Sequence, residues 1–185
     1  RRRAPGLGEP RASLVALIEH MDDGIGRVLD TIDRLGIARR TLVLFTSDNG
    51  GALEFGANAG PWRAGKGHMY EGGLRVPAAA RWPGSIAPGT RTARAAVATD
   101  IFATCCDAAG VPMPPDTDAL SFLPTLLGRP QPPAERDLYF VRREGGAACA
   151  GRARGAPRYG TLRAISCASN ARAGNGTRRA VFSVD

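Results

Sequence analysis

Asp48 and Asn49 follow an apolar run, Thr41–Thr46 (T-L-V-L-F-T), and precede Gly50-Gly51. A carboxylate and an amide oxygen are hard donors of the kind calcium and magnesium take. The same letters also spell an ordinary turn, because Asp, Asn and Gly are common turn formers. The chain's one lysine, Lys66, stands between Gly65 and Gly67, and the other 24 basic residues are all arginine. An ammonium is a compact point charge, whereas a guanidinium is a broad planar fork. A lysine kept alone among arginines points to a narrow place beside an oxyanion; the plain alternative is a surface lysine in a loop. At about 4 Å and an effective dielectric near 20, one such charge pair contributes roughly 4 kcal/mol before desolvation. His68, two residues on, can reach the same place. A cation on one side and an ammonium on the other describe a site for an anionic ester.

The flanking elements have the periodicity of an α/β protein. Leu14, Leu17, Ile18, Met21, Ile25, Val28, Leu29, Ile32 and Leu35 recur at helical steps, which predicts an amphipathic helix capped by Ser13 and closed by Gly36. Gly24 and Gly26 weaken it and permit close packing. His20 lies beside the apolar stripe and reads as structural, and the neighbouring Asp22 and Asp23 diverge by about 100° per residue, as polar-face residues do. Thr41–Thr46 is apolar on both faces, like a parallel strand covered by helices. In open α/β sheets ligands bind beyond the carboxyl ends of strands, where Ser47–Gly51 falls. Leu74–Trp82 reads as a second short strand. A helix over Ile101–Ala109 is capped by Thr99 or Asp100, a shorter one spans Ser121–Leu127, and Leu138–Val141 opens a strand of another sheet. Beyond Arg143 the periodicity fades: Ala, Gly and Arg make up 26 of the last 45 residues.

Bulk properties exclude several classes. The length of 185 residues fits one domain, or most of one with part of a second. The net charge of +8 is uneven: residues 1–140 carry 16 basic against 15 acidic groups, and residues 141–185 carry 9 against 2. The tail is poor in aromatics for base stacking, so it reads as a solvated Arg-rich segment, with neither nucleic acid nor membrane as partner. No apolar run approaches the roughly 18 residues of a membrane span. Cys105, Cys106, Cys149 and Cys167 have no zinc spacing; the first two read as small, partly buried hydrophobes on a helix. Gly60–Lys66 matches the start of a phosphate-binding loop, but Gly67 stands where Ser or Thr should hold magnesium, and no strand precedes it. Asn175-Gly176-Thr177 is a glycosylation sequon.

The ordered series of these pieces resembles the sulfatases of the alkaline phosphatase superfamily, especially arylsulfatase-like enzymes. It runs from His20-Met21-Asp22 and Gly26–Asp30 through Thr46–Gly51, Gly65-Lys66-Gly67, Tyr70–Gly73 and Arg75-Val76-Pro77 to Arg81–Gly84, Asp100 and Leu123-Pro124. The resemblance implies an α/β fold, with part of a mixed or parallel sheet flanked by helices and the start of a small C-terminal α+β region. It implies Asp48 and Asn49 as metal ligands, normally for calcium. Lys66 would contact the sulfate group, and Glu71, Gly72, Gly73 and Arg75 would shape that wall. The family's nucleophile is a formylglycine made within C-x-P-S-R or a Ser variant, and no Cys or Ser here stands in that context.

The expected organisation is a disordered leader (1–12), the C-terminal part of a sulfatase catalytic domain (13–129), and a C-terminal region (130–185) whose composition departs from the family, as a shifted reading frame would make it. The expected function is metal-dependent hydrolysis of sulfate esters on small molecules or glycans. The isolated chain would be inactive, and the N-terminal half of the enzyme would be its missing partner. The competing expectations are a phosphate or phosphonate ester hydrolase of the same superfamily and a non-catalytic binding module.

Overall fold

The structure, a computed structural model, describes residues 8–133, 137–142, 149–154, 165–170 and 179–184. The leader's first seven residues and the Asn175–Thr177 sequon lie outside them. The chain is mixed helix and strand. Helix α1 spans Arg11–Arg34, and a 3₁₀ turn spans Ala38–Arg40. Strand β1 (Val43–Thr46) follows, then a 3₁₀ turn at Leu53–Phe55 and the one-turn helix α2 (Glu71–Leu74). Next come β2 (Ala78–Arg81), α3 (Ala98–Ala109) and α4 (Leu123–Leu126). Four strands end the series: β3 (Asp137–Arg142), β4 (Cys149–Arg154), β5 (Ile165–Asn170) and β6 (Arg179–Val184). The described residues divide into two compact units, one drawn from 8–42, 47–76, 141–142 and 149–151, the other from 43–46, 77–133, 137–140, 152–154, 165–170 and 179–184.

In the first unit α1 begins two residues before Ser13. Ser13 is therefore not its N-cap; the hydroxyl donates to the Glu9 carboxylate at 2.7 Å. The C-terminal expectation holds: Gly36 adopts φ +67°, the left-handed turn that ends a helix without a Cβ penalty. The predicted apolar stripe divides. Leu29 is buried and Leu14, Ile25 and Ile32 are half-buried, but Leu17, Val28 and Leu35 are 57–67% exposed, and Ile18 and Met21 are exposed too. Among the described residues nothing covers that side of the helix. His20, read as structural, is exposed, as are Asp22 and Asp23.

In the second unit β1 and β2 form a two-stranded antiparallel pair, with Val43 opposite Arg81 and Thr46 opposite Ala78. The local expectation of a parallel, fully buried strand is thus corrected. The chain between Thr46 and Ala78 turns back through glycine-rich loops instead of crossing over through a long helix, which is what a parallel neighbour requires. β5 and β6 also pair antiparallel, from Ile165 opposite Val184 to Asn170 opposite Arg179, and β3 pairs with β4. β3 holds the strand expected at Leu138–Val141, whereas β4, β5 and β6 stand where the Ala/Gly/Arg composition masks any alternation.

Helix α3 is tied down by a buried polar network. It closes at Gly110, as expected, with φ +67°. Asp100 sits on its first turn, at its third residue rather than as the cap itself, and is 2% exposed. One carboxylate oxygen accepts from the Val97 amide and the other from the Leu120 amide, both at 2.9 Å. The Thr104 hydroxyl donates to the Asp100 carbonyl at 2.7 Å and accepts from the Phe122 amide at 3.0 Å. Asp100 and Thr104 therefore fasten the 119–123 segment, whose Ala119, Phe122 and Leu123 are buried. Cys105 on the same helix is exposed and Cys106 half-buried.

Asp100→Ala strands two amides and is expected to cost about 2–4 kcal/mol. Asp100→Asn keeps one acceptor and should cost less than half of that. Urea denaturation of the purified chain reads both; a loss below about 1 kcal/mol for the alanine variant would contradict the network's weight.

Candidate functional site

After β1 the chain enters Ser47–Gly51, a turn that bonds itself. The Ser47 hydroxyl donates to the Asn49 carbonyl, and the Asn49 amide nitrogen donates to the Gly50 carbonyl, each at 3.0 Å. These are the local side-chain bonds that make Ser and Asn good turn residues. They also orient Asn49: with Nδ2 spent as a donor, Oδ1 is the atom able to ligate a cation. Asp48 is exposed and Asn49 half-buried.

Two other segments lie against this turn. The Lys66 amide donates to the Gly51 carbonyl at 2.9 Å, and the Gly50 amide donates to the Gly73 carbonyl at 3.0 Å. The Gly72 amide reaches the Arg63 carbonyl at 3.0 Å, and the His68 amide reaches the Gly65 carbonyl at 3.1 Å. The backbones around Asp48-Asn49, around Lys66 and around Glu71–Gly73 are therefore brought together. Lys66 and His68 are exposed, and His68 Nδ1 lies 3.3 Å from the Lys66 carbonyl oxygen.

The close approach depends on missing side chains. A Cβ at Gly50 would run into the Gly72 carbonyl, and one at Gly65 into the Gly51 carbonyl. At Gly72 it would meet the Ala64 and Arg63 carbonyls, and at Gly73 those of His68 and Gly65. All four glycines are buried. Ala64 itself has φ +62°, a left-handed conformation that costs an alanine about 1 kcal/mol.

The charges behind the loop are paired. Arg75, 6% exposed, bonds through Nε to the Glu71 carboxylate one helical turn earlier. The same guanidinium carbon stands 3.8 Å above the centre of the Trp62 ring. Arg63 stands likewise 3.8 Å above Tyr70. The aromatic partners Trp62 and Tyr70 are additions to the residues expected from the sequence. Contacts seven and thirteen residues apart in a loop have no periodic signature by which to find them.

Two hard oxygen donors, Asp48 and Asn49, fit a divalent cation but make up only part of the six to eight ligands of calcium. Among the described residues no three His, Cys, Asp or Glu side chains gather as a fuller shell. No helix among the described residues is long and apolar enough to cross a membrane.

The chain is similar in sequence and fold to known proteins. The family model described as Sulfatase matches residues 4–111. Steryl-sulfatase of Mus musculus is 42% identical over 124 residues, 62% of this chain and 20% of the relative. N-acetylgalactosamine-6-sulfatase of Homo sapiens is 41% identical over 132 residues, 68% of this chain and 25% of the relative. Arylsulfatase A of Homo sapiens is 41% identical over 124 residues, 65% and 24% of the two chains. The crystal structure of Ps i-CgsB in complex with k-i-k-neocarrahexaose superposes with a TM-score of 0.75 at 28% identity, covering 82% of this chain and 34% of that one. The chain thus spans about a fifth to a quarter of the length of these curated relatives.

Opposite outcomes are expected for two glycines. Gly72→Ala, forced against backbone carbonyls, should destabilise by about 1–3 kcal/mol and speed hydrogen exchange at the Lys66 amide. Gly24→Ala, inside α1 with only the Arg27 guanidinium at 3.6 Å from the new Cβ, should stabilise by about 0.5–1 kcal/mol. Thermal and urea unfolding of both variants check the signs, and equal effects would contradict the close-packing argument.

Proposed function

Because this chain belongs to the sulfatase family, we propose that it supplies one wall of the site of a sulfuric ester hydrolase. Asp48 and Asn49 act as oxygen ligands to a divalent cation, calcium by preference, and Lys66 meets the sulfate oxygens with its ammonium. His68 serves as a second contact to the substrate. The observation that carries this reading is the backbone bond from Lys66 to Gly51, which holds the Asp48-Asn49 turn beside the lysine loop, seconded by the bond from Gly50 to Gly73, which fastens the same turn to α2.

The named relatives differ in the alcohol part of the ester and agree on the sulfate, so the proposed substrate class is a sulfate ester of a small molecule or glycan. Cleaving such an ester builds charge on the sulfuryl and leaving-group oxygens. A preorganised ammonium stabilises that charge without reorganising at the moment of reaction. The cation, when bound, polarises the same oxygens as a Lewis acid. The pairing of buried Arg75 with half-buried Glu71 behind the loop keeps a guanidinium from competing with Lys66 for the anion.

The nucleophile belongs to other polypeptide, since none of the 185 residues forms C-x-P-S-R. The proposed partner is the sulfatase sequence that makes up the remainder of the relatives' length. The exposed Leu17, Val28 and Leu35 of α1 support this, as an apolar stripe suited to packing in a larger fold. The isolated chain is accordingly proposed to lack turnover.

Three outcomes follow. The purified chain should release no chromophore from an aryl sulfate; release that Asp48→Ala abolishes would contradict the half-site reading. Calcium titrated by calorimetry should bind with a Kd no tighter than about 10⁻⁴ M, as a partial shell allows, and Asp48→Ala should remove the heat. In a polypeptide joining this segment to a C-x-P-S-R motif, Lys66→Ala should lower kcat by about 10²–10³-fold, and activity within about twofold of the parent would exclude the role.

A further inference from the structure

A second feature of the first unit lies beside the lysine loop. A cleft of about 400 Å³ is lined by Arg11, Gly56, Ala57, Asn58, Trp62 and Ala64, among others, a volume within the range of small-molecule sites. Its chemistry is uneven: one aromatic ring, one guanidinium, one carboxamide, the aliphatic side chain of Leu53, and otherwise small residues that leave backbone polar groups within reach.

Each of the three side chains is held in place. Trp62 carries the Arg75 guanidinium over one face, and Arg75 is itself bonded to Glu71. Arg75 does not line the cleft, so the cleft meets the indole elsewhere than on the face that Arg75 covers. Arg11 donates through one terminal nitrogen to the Gly56 carbonyl at 2.7 Å. That contact uses one of five guanidinium N–H donors and fixes the plane of the fork. Asn58 accepts from the Gly60 amide at 2.6 Å through Oδ1, which leaves Nδ2 as its donor toward a ligand. Ala64, at φ +62°, carries this wall onward to Gly65 and Lys66.

We propose that this cleft is a binding subsite for a pyranose ring bearing an anionic substituent, its C–H face on Trp62, its hydroxyls on Asn58 and the Gly56–Gly60 backbone, and its anion on Arg11. A ring with one apolar face and a polar rim matches a lining of an indole and Leu53 beside amides; a flat aromatic ligand would leave the amides unanswered, at a cost. A guanidinium fork meets a carboxylate or sulfate with paired hydrogen bonds. The proposal rests on the sulfatase reading in one respect: a ring here neighbours the ester held at Lys66, so the cleft would recognise the residue next to the one that is cleaved.

The test uses the chain's two tryptophans, Trp62 and Trp82. In a Trp82→Phe background Trp62 is the only indole, and its emission reports the cleft. Glucuronate should shift that emission, and should bind at least about fivefold tighter than glucose, a difference the size of a modest charge-assisted bond. Inorganic sulfate should leave the emission unchanged. Arg11→Gln should shrink the preference for glucuronate below about twofold, whereas Arg11→Lys should keep part of it, as a point charge can. Trp62→Leu, read by calorimetry, should abolish binding of both sugars. Circular dichroism melts establish that each variant is folded.

The proposal is overturned if glucuronate leaves Trp62 emission unmoved, if benzoate binds as well as glucuronate, or if folded Arg11→Gln retains the full preference. Lys66→Ala separates the two readings. Unchanged glucuronate binding in that variant supports an independent subsite even if Lys66 proves to have no role in turnover. Its loss would place the sugar at Lys66 and sink the subsite, leaving the sulfate reading intact.

Discussion

The Gly50 amide reaches the Gly73 carbonyl, and the Lys66 amide reaches the Gly51 carbonyl, because no Cβ stands between these backbones. Every other property of the candidate site depends on that contact. Four glycines, at 50, 65, 72 and 73, each sit where an added methyl would meet a carbonyl. Backbone amides buried in this way must find partners, and here they find one another across three loops instead of within a helix or sheet. The loops around Asp48, Lys66 and Glu71 thereby become a single packed object, although they contain almost no regular secondary structure.

The electrostatics follow from that packing. Arg75 is buried, which an arginine tolerates only when paired and stacked, and Glu71 and Trp62 provide both. Arg63 stacks on Tyr70. The guanidinium groups around the loop are thus engaged with aromatic and acidic partners, whereas the exposed ammonium of Lys66 stands at the end of a glycine-flanked turn. This division of labour gives a physical reason for a lone lysine among so many arginines: the stacked positions reward a planar cation, and the turn rewards a compact one.

The first helix differs from the rest of its unit in how little it buries. α1 is an amphipathic helix with much of its apolar stripe in solvent. The chain matches about a fifth to a quarter of its relatives' length, and the exposed stripe is in keeping with the proposed packing against further sulfatase sequence. In the second unit the anchoring is internal: the side chains of Asp100 and Thr104 make four hydrogen bonds, three to backbone amides and one to a backbone carbonyl, and so tie α3 to the 119–123 segment.

The sequence by itself determined a long amphipathic helix ending at Gly36, though not its start, the strand before Asp48, the left-handed stops at Gly36 and Gly110, and the family, because these rest on short-range periodicity, backbone freedom and ordered motifs. It marked Asp48, Asn49, Lys66 and His68 through residue chemistry and rarity, and it singled out Glu71 and Arg75 through family likeness alone. It missed the antiparallel pairing of β1 with β2, the exposure of His20 and of half the α1 stripe, and the strands between 149 and 184, whose small and basic residues carry no alternation. Only the tertiary structure decided that Trp62 lies under Arg75, that Tyr70 lies under Arg63, and that Arg11 reaches Gly56 across 45 residues. Those contacts join segments whose spacing obeys no local rule; the loops among them come together because glycine lets backbones approach, and that approach is a property of three segments at once.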